Sequence, residues 1–361
     1  MLETDAKRKN GIIELFRFLG IVFIMCGHFR QIGLTGLPRP FADTWLYVEF
    51  FLILSGFLTA KHFQMKDNRA NGITTHVENG IIYTIKKYRK FLPYVVLAVF
   101  AEYLIKYRAY LFEGDYYNFF KKAQEMPFEI FLLSAAGTNG TLTFPIWYLS
   151  ATFLVSPFIC IISQLKNKYI IGMLSFYPAL FYYLYRTTSI GNHDYPNQIV
   201  RAMCGMLLGV FVYLIADHIG KRTISKKNRF ILTVFLLALI GTLLYISYSG
   251  ISFISTYLFC FIGIFILTFS RKTYLPFCDN AILRFLGKLS MPMFILHWPV
   301  AHFLVLIIPQ DQVATRIIAY YLGTIFVSLL MMGIISVFST KKGMLKKVSE
   351  GDHRQINGKE S

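Results

Sequence analysis

Windows of roughly 17 to 25 mostly apolar residues, the length a helix needs to cross hydrocarbon, recur along the whole chain. They predict membrane-spanning helices near residues 11 to 32, 44 to 60, 91 to 107, 144 to 164, 169 to 185, 197 to 216, 230 to 248, 251 to 269, 290 to 308 and 314 to 338. Ten crossings return the chain to the side on which it starts. Between the second and third, residues 61 to 90 are polar, end in the basic run KKYRK and read as a loop. Residues 108 to 143 form the longest segment on the other side, where YYNFFKKAQEMPFEIFLL mixes aromatic and charged residues as an interfacial segment does. The expected fold class is an all-α integral membrane protein, a bundle of about ten transmembrane helices. One transmembrane domain covers residues 1–340, and a basic polar tail covers 341–361. No soluble domain is expected after the last span.

Composition supports that reading: 55% of the 361 residues are hydrophobic, 17% aromatic and only 16% charged, too oily for a soluble domain of this size. The formal net charge of +18 first suggests nucleic acid, but the placement of the charge removes that reading. With the N-terminus in the cytoplasm, the segments on that side hold 27 of the 37 basic residues, from Lys7, Arg8 and Lys9 to the tail residues Lys346 and Lys347. Such a bias is the signature of a membrane topology with both termini cytoplasmic. The first apolar stretch holds Arg17 and His28 and lacks a small-residue cleavage site, so it reads as a retained helix and not a signal peptide. Five cysteines, Cys26, Cys160, Cys204, Cys260 and Cys278, show no metal-ligand or disulfide spacing.

Polar residues inside the spans carry the candidate chemistry, because hydrocarbon makes each of them costly unless it is used. In ELFRFLGIVFIMCGHFRQ, Arg17 and His28 stand eleven residues apart, close to three helical turns, and so share one face. They lie about 16 Å apart in depth, Arg17 toward the cytoplasm and His28 toward the outside. Two uses fit each: contact with a ligand from its own side, or a quieter role, with Arg17 paired to Glu14 and His28 in the interface beside Arg30. In YVEFFLILSGFL, Glu49 lies at a depth comparable to His28, so a His28–Glu49 couple fits, while Ser55 and Gly56 suit close helix packing. Arg201 falls near the outer end of the sixth span. His297 falls between Pro292 and Pro299, where distorted backbone can open a polar cavity. Glu102 reads as an i,i+4 partner of Lys106.

Taken together, these segments resemble the bacterial membrane acyltransferase 3 family. Arg17 and His28 match its first-helix R-x10-H pattern, and YVEFFLILSGFL resembles its second-helix signature. IWYLSATFLV, with Trp147 and Tyr148, resembles its mid-chain tryptophan segment, IVRAMCGMLLGVFV its Arg/Gly segment, and LRFLGKLSMPMFILHWPV its late histidine-tryptophan segment. The matches run in order over about 300 residues. One departure is plain: where many members carry a glutamate shortly after Trp-x-Leu-Ser, this chain has Ala151 and Thr152. Members fused to an extracytoplasmic esterase-like domain are a poor match.

The resemblance implies a multi-pass O-acyltransferase of the inner (cytoplasmic) membrane. Its acyl donor would be an acyl-CoA, usually acetyl-CoA, with no metal. Its acceptor would be a hydroxyl of a cell-surface or exported polysaccharide or glycolipid, and its other partners membrane lipids, not nucleic acid. Arg17 and His28 would be the central pair with Glu49 beside them, and Arg201, His297, Trp147, Tyr148 and Ser55 would bind substrate. On that reading Arg17 and the basic segments attract the donor, and neutral His28 takes the proton of the sugar hydroxyl, held by Glu49. Direct transfer and a transient acyl-enzyme both fit. The rival class is a transporter or flippase of a sugar or lipid-linked glycan, in which the same residues bind substrate or relay protons.

Overall fold

The computed structural model describes residues 10–34, 46–64, 72–137, 142–185, 197–249, 254–273 and 280–357. Residues 44–45 and 251–253 of two expected spans, Cys278, and residues 358–361 of the expected tail lie outside the described residues. The helices are α1 (Gly11–Gly27), α2 (Leu46–Gln64), α3 (Ile73–Arg89), α4 (Leu92–Phe112), α5 (Tyr116–Lys122), α6 (Met126–Ile130) and α7 (Ile146–Ser163). They continue with α8 (Lys168–Tyr185), α9 (Asn197–Gly220), α10 (Lys226–Ser249), α11 (Ile254–Phe269), α12 (Ala281–Ile307) and α13 (Val313–Asn357). No strand occurs among the described residues.

Side-chain caps set several helix starts. Asn10 accepts from the Ile12 N–H (3.1 Å) at α1, Asp115 from Asn118 (3.1 Å) at α5, and Asn280 from Ile282 (2.8 Å) at α12, each satisfying a donor the helix itself cannot. A helix lies over each of the ten apolar windows. Five helices are long and apolar enough to cross a membrane: α2, α7, α9 from Gln198, α12, and α13 as far as Phe338. Cys260–Phe269 in α11 forms a shorter apolar helix. Large apolar side chains such as Phe181, Phe230, Phe326 and Phe338 are exposed on the outside of the bundle, as a hydrocarbon surrounding requires. The helix α13 continues through the basic tail to Asn357.

Two segments differ from expectation. Residues 61 to 90 read as a loop, yet Ile73–Arg89 is a helix. Its pattern is inverted: Ile73, Val77, Ile81 and Ile85 are exposed along one stripe, while His76, Gly80 and Thr84 are buried toward the bundle. Gly80 lies flush on α7, where a Cβ would come within 3.1 Å of the Pro157 carbonyl and of Cys160. A hydropathy window averages the two faces away. Of residues 108 to 143, expected at the interface, the part around 129–137 packs against α7, and residues 138–141 lie outside the described residues. The Ser150 hydroxyl donates to the Leu132 carbonyl (2.7 Å) and accepts from the Ala135 N–H (2.9 Å), and buried Glu129 accepts from the Thr143 N–H (3.0 Å).

A backbone-to-backbone contact joins α2 to α9. A Cβ at Gly56 would overlap the Met206 carbonyl, and one at Gly209 the Ile53 carbonyl, while Gly205 sits over Leu52. Gly205 and Gly209 are four residues apart, the small-residue spacing that lets two helices touch backbone to backbone.

Candidate active site

A cavity of about 830 Å³ runs along the bundle between α2, α3 and α7. Its inner end, on the side where α1 begins, carries His62, Asn79 and Gln164; its far end carries Phe51, Tyr148 and Met291. Gln164 and Tyr148 are sixteen residues apart on or beside α7, which sets a length of about 24 Å at helical rise. Basic groups line it, Arg17, Lys86, Lys87 and Lys90, so the cavity attracts anions. Arg17 donates to Glu14 (2.8 Å), the quiet partner the sequence offers, and faces the cavity as well. The Lys87 ammonium donates to Ser55 Oγ (2.7 Å), so Ser55 carries a polar contact in addition to its place in a packed helix. Burial pushes the Lys87 pKa down to about 8.

Beyond Phe51 and Tyr148 the cavity is closed by rings. Tyr148 stands edge-on to Phe294 (5.4 Å between centroids), Phe294 adjoins His297 (6.0 Å), and His297 lies 5.4 Å from His28. Trp298 meets His28 edge-on at 5.2 Å, and Phe144 covers both. His28 caps the C-terminal end of α1, where the chain turns into a single 3-10 turn, Phe29–Ile32. His297 is fully buried. Its Nδ1 lies 2.8 Å from the Phe294 carbonyl; a proton on Nδ1 serves that acceptor and leaves Nε2 with a lone pair that has no partner among the described residues.

A second cavity, of about 460 Å³, opens on the opposite side of this ring layer. Gln31, Glu102, Lys106, Arg108, Trp298 and His302 line it. Glu102, 2% exposed, pairs with His302 (2.5 Å) and not with Lys106, which correction the sequence conceals because the nearer partner has the right spacing. Trp298 stacks edge-on against His302 (5.1 Å), so the tryptophan joins the cavity to His28.

Of the sequence-predicted residues, Arg17, Ser55 and Tyr148 share the basic cavity, and His28 and His297 meet in the ring layer. Glu49, Arg201 and Trp147 lie elsewhere. Glu49 and Arg201, both 0% exposed, form an ion pair (2.5 Å) between α2 and α9; Glu49 also accepts from the Tyr183 hydroxyl (2.8 Å), and Arg201 stacks on Trp147 (5.2 Å). Both carboxylate oxygens of Glu49 are engaged there, and the ring brought to His28 is that of His297. Lys87, Trp298 and His302 are lining residues to which the sequence reading gave no role, and Glu102 one to which it gave another partner; the HWPVAH run around His297 was the available signal for Trp298 and His302. Among the described residues no group of three His, Cys, Asp or Glu is placed to hold a metal ion.

Five helices long and apolar enough to cross a membrane, packed around polar cavities, define a multi-pass membrane protein. The chain belongs to the acyltransferase 3 family: the profile of that family, described as an acyltransferase domain, matches residues 10–333. It is therefore a membrane acyltransferase. Searches of curated proteins and of solved structures returned no match.

Proposed function

We propose that the protein transfers an acyl group, acetyl in the simplest case, from acyl-CoA to a hydroxyl of a cell-surface or exported glycan, and that the ring layer between the two cavities is where transfer occurs. The observation that carries this reading is the placement of His28 and His297 between a basic cavity on one side and a second cavity on the other. The charge bias of the sequence supports a cytoplasmic location for the basic side, where acyl-CoA is found. There Arg17, Lys86, Lys87 and Lys90 would hold the donor's phosphates by charge-assisted hydrogen bonds. The pantetheine arm would run along the cavity toward Tyr148.

The acceptor hydroxyl enters from the opposite side and gives its proton to the His28 imidazole as its oxygen attacks the thioester carbon. The ester C–O bond forms, the C–S bond breaks, and the proton passes from His28 to the departing thiolate. The helix carbonyl contact on Nδ1 fixes the His297 ring, whose centroid lies 5.4 Å from that of His28. Glu49 and Arg201 act at one remove in this account, by fixing α2 to α9.

The test is transfer of labelled acetyl from acetyl-CoA to alkali-treated host polysaccharide by the protein in nanodiscs. Wild type is expected to label the glycan. His28→Ala is expected to lose at least about a thousandfold in rate, the scale of a general base together with ordered substrate, while its acetyl-CoA affinity stays. Equal labelling by His28→Ala rules out the base role.

A further inference from the structure

The second cavity has a wall that the rest of the fold leaves incomplete. Gln31 Oε1, Glu102 Oε2 and Trp298 Nε1 are buried atoms with no hydrogen-bond partner among the described residues, and all three residues line that cavity. Glu102 and Trp298 are 2% and 9% exposed. Buried polar groups in folded proteins are almost always paired, so three unpaired ones around one space mark where a ligand completes the set. His302 holds the other Glu102 oxygen and fixes the carboxylate.

The chemistry of the three atoms selects the ligand. Two oxygens accept and one indole N–H donates, so the ligand must offer donors and an acceptor together. A hydrocarbon chain offers neither. A metal cation satisfies the oxygens but not the indole, and an inorganic anion, though Lys106 and Arg108 in the lining would attract it, brings no donor for the Gln31 and Glu102 oxygens. Hydroxyl groups do both, and the indole ring gives a flat apolar surface against which the C–H face of a sugar can rest. We infer that this cavity is the acceptor subsite, in which Gln31, Glu102 and Trp298 hold the hydroxyls of a saccharide ring and Trp298 sets one of them beside His28. This assignment rests on the acyltransferase reading, yet it makes a separate claim about binding.

The experiment uses the full chain in nanodiscs and an oligosaccharide released from the host's surface polysaccharide and stripped of esters by mild alkali. Calorimetry gives its Kd and that of acetyl-CoA, and labelled acetyl gives transfer, for wild type, Gln31→Leu, Glu102→Gln and Trp298→Phe. Each variant is expected to raise the oligosaccharide Kd about tenfold, the effect of one lost hydrogen bond to a buried group, with an unchanged acetyl-CoA Kd that also certifies the fold. Trp298→Phe keeps the ring and removes only the N–H. Variants that bind oligosaccharide within twofold of wild type overturn the subsite and leave the acyltransferase reading standing. Binding that is lost in the variants, with no transfer even in wild type, supports the subsite and overturns the reading. Neither binding nor transfer in wild type overturns both.

Discussion

On the proposed function, Lys87 ties the fold to donor use. Its ammonium is drawn into the basic cavity beside Ser55, and burial is the leading reason its pKa falls to about 8. The charged form predominates below that value and disappears as the pH rises through it, so its attraction for a polyanionic donor is present at neutral pH and lost in mild alkali. The KM for acetyl-CoA is expected to rise about tenfold between about pH 7 and pH 9, and Lys87→Gln is expected to flatten that dependence at the high value. A KM in the variant that still climbs with pH assigns the effect to another group. Sequence spacing singled out Arg17 and His28, which the structure places in the basic cavity and in the ring layer just past the end of α1. It could not reveal His28 beside His297 and Trp298, or Glu102 beside His302, since those partners sit on helices far apart in the chain. For Glu102 the nearby Lys106 supplied a plausible but wrong partner.

At the scale of elements, the α2–α9 contact organises the buried Glu49–Arg201 pair. Glycines at 56, 205 and 209 let the two backbones meet, and Arg201 lies one turn before Gly205, which delivers the guanidinium to Glu49. Gly209→Leu places a side chain against the Ile53 carbonyl and must separate the helices. It is expected to destabilise the protein by about 3 kcal/mol, the range of an overpacked core, and to lower the melting temperature measured by tryptophan fluorescence. A melting temperature equal to wild type contradicts the close contact. The apolar helices were legible because length and hydropathy state them directly, and Gly56 was legible as a packing residue. The α3 helix was not. It hides its polar side in the cavity and shows isoleucines outward, so its average composition is that of a loop.

At the scale of the whole molecule, two cavities of unlike character face each other across a layer of aromatic rings and imidazoles. The larger is long and lined by bases with no carboxylate among the described residues; the smaller sets a buried carboxylate, an amide and an indole beside Lys106, Arg108 and His302. On the proposed function, the larger cavity would take a polyanionic donor and the smaller a polyhydroxylated acceptor. The most direct measurement is the ester-linked acyl content of the host's purified surface polysaccharide, by proton NMR before and after mild alkali. Cells would carry wild-type protein, His28→Ala or no protein, at matched membrane levels. The account predicts an alkali-labile acyl signal with wild type alone. Equal acyl content in all three strains, with a change in the amount of exported glycan, contradicts it.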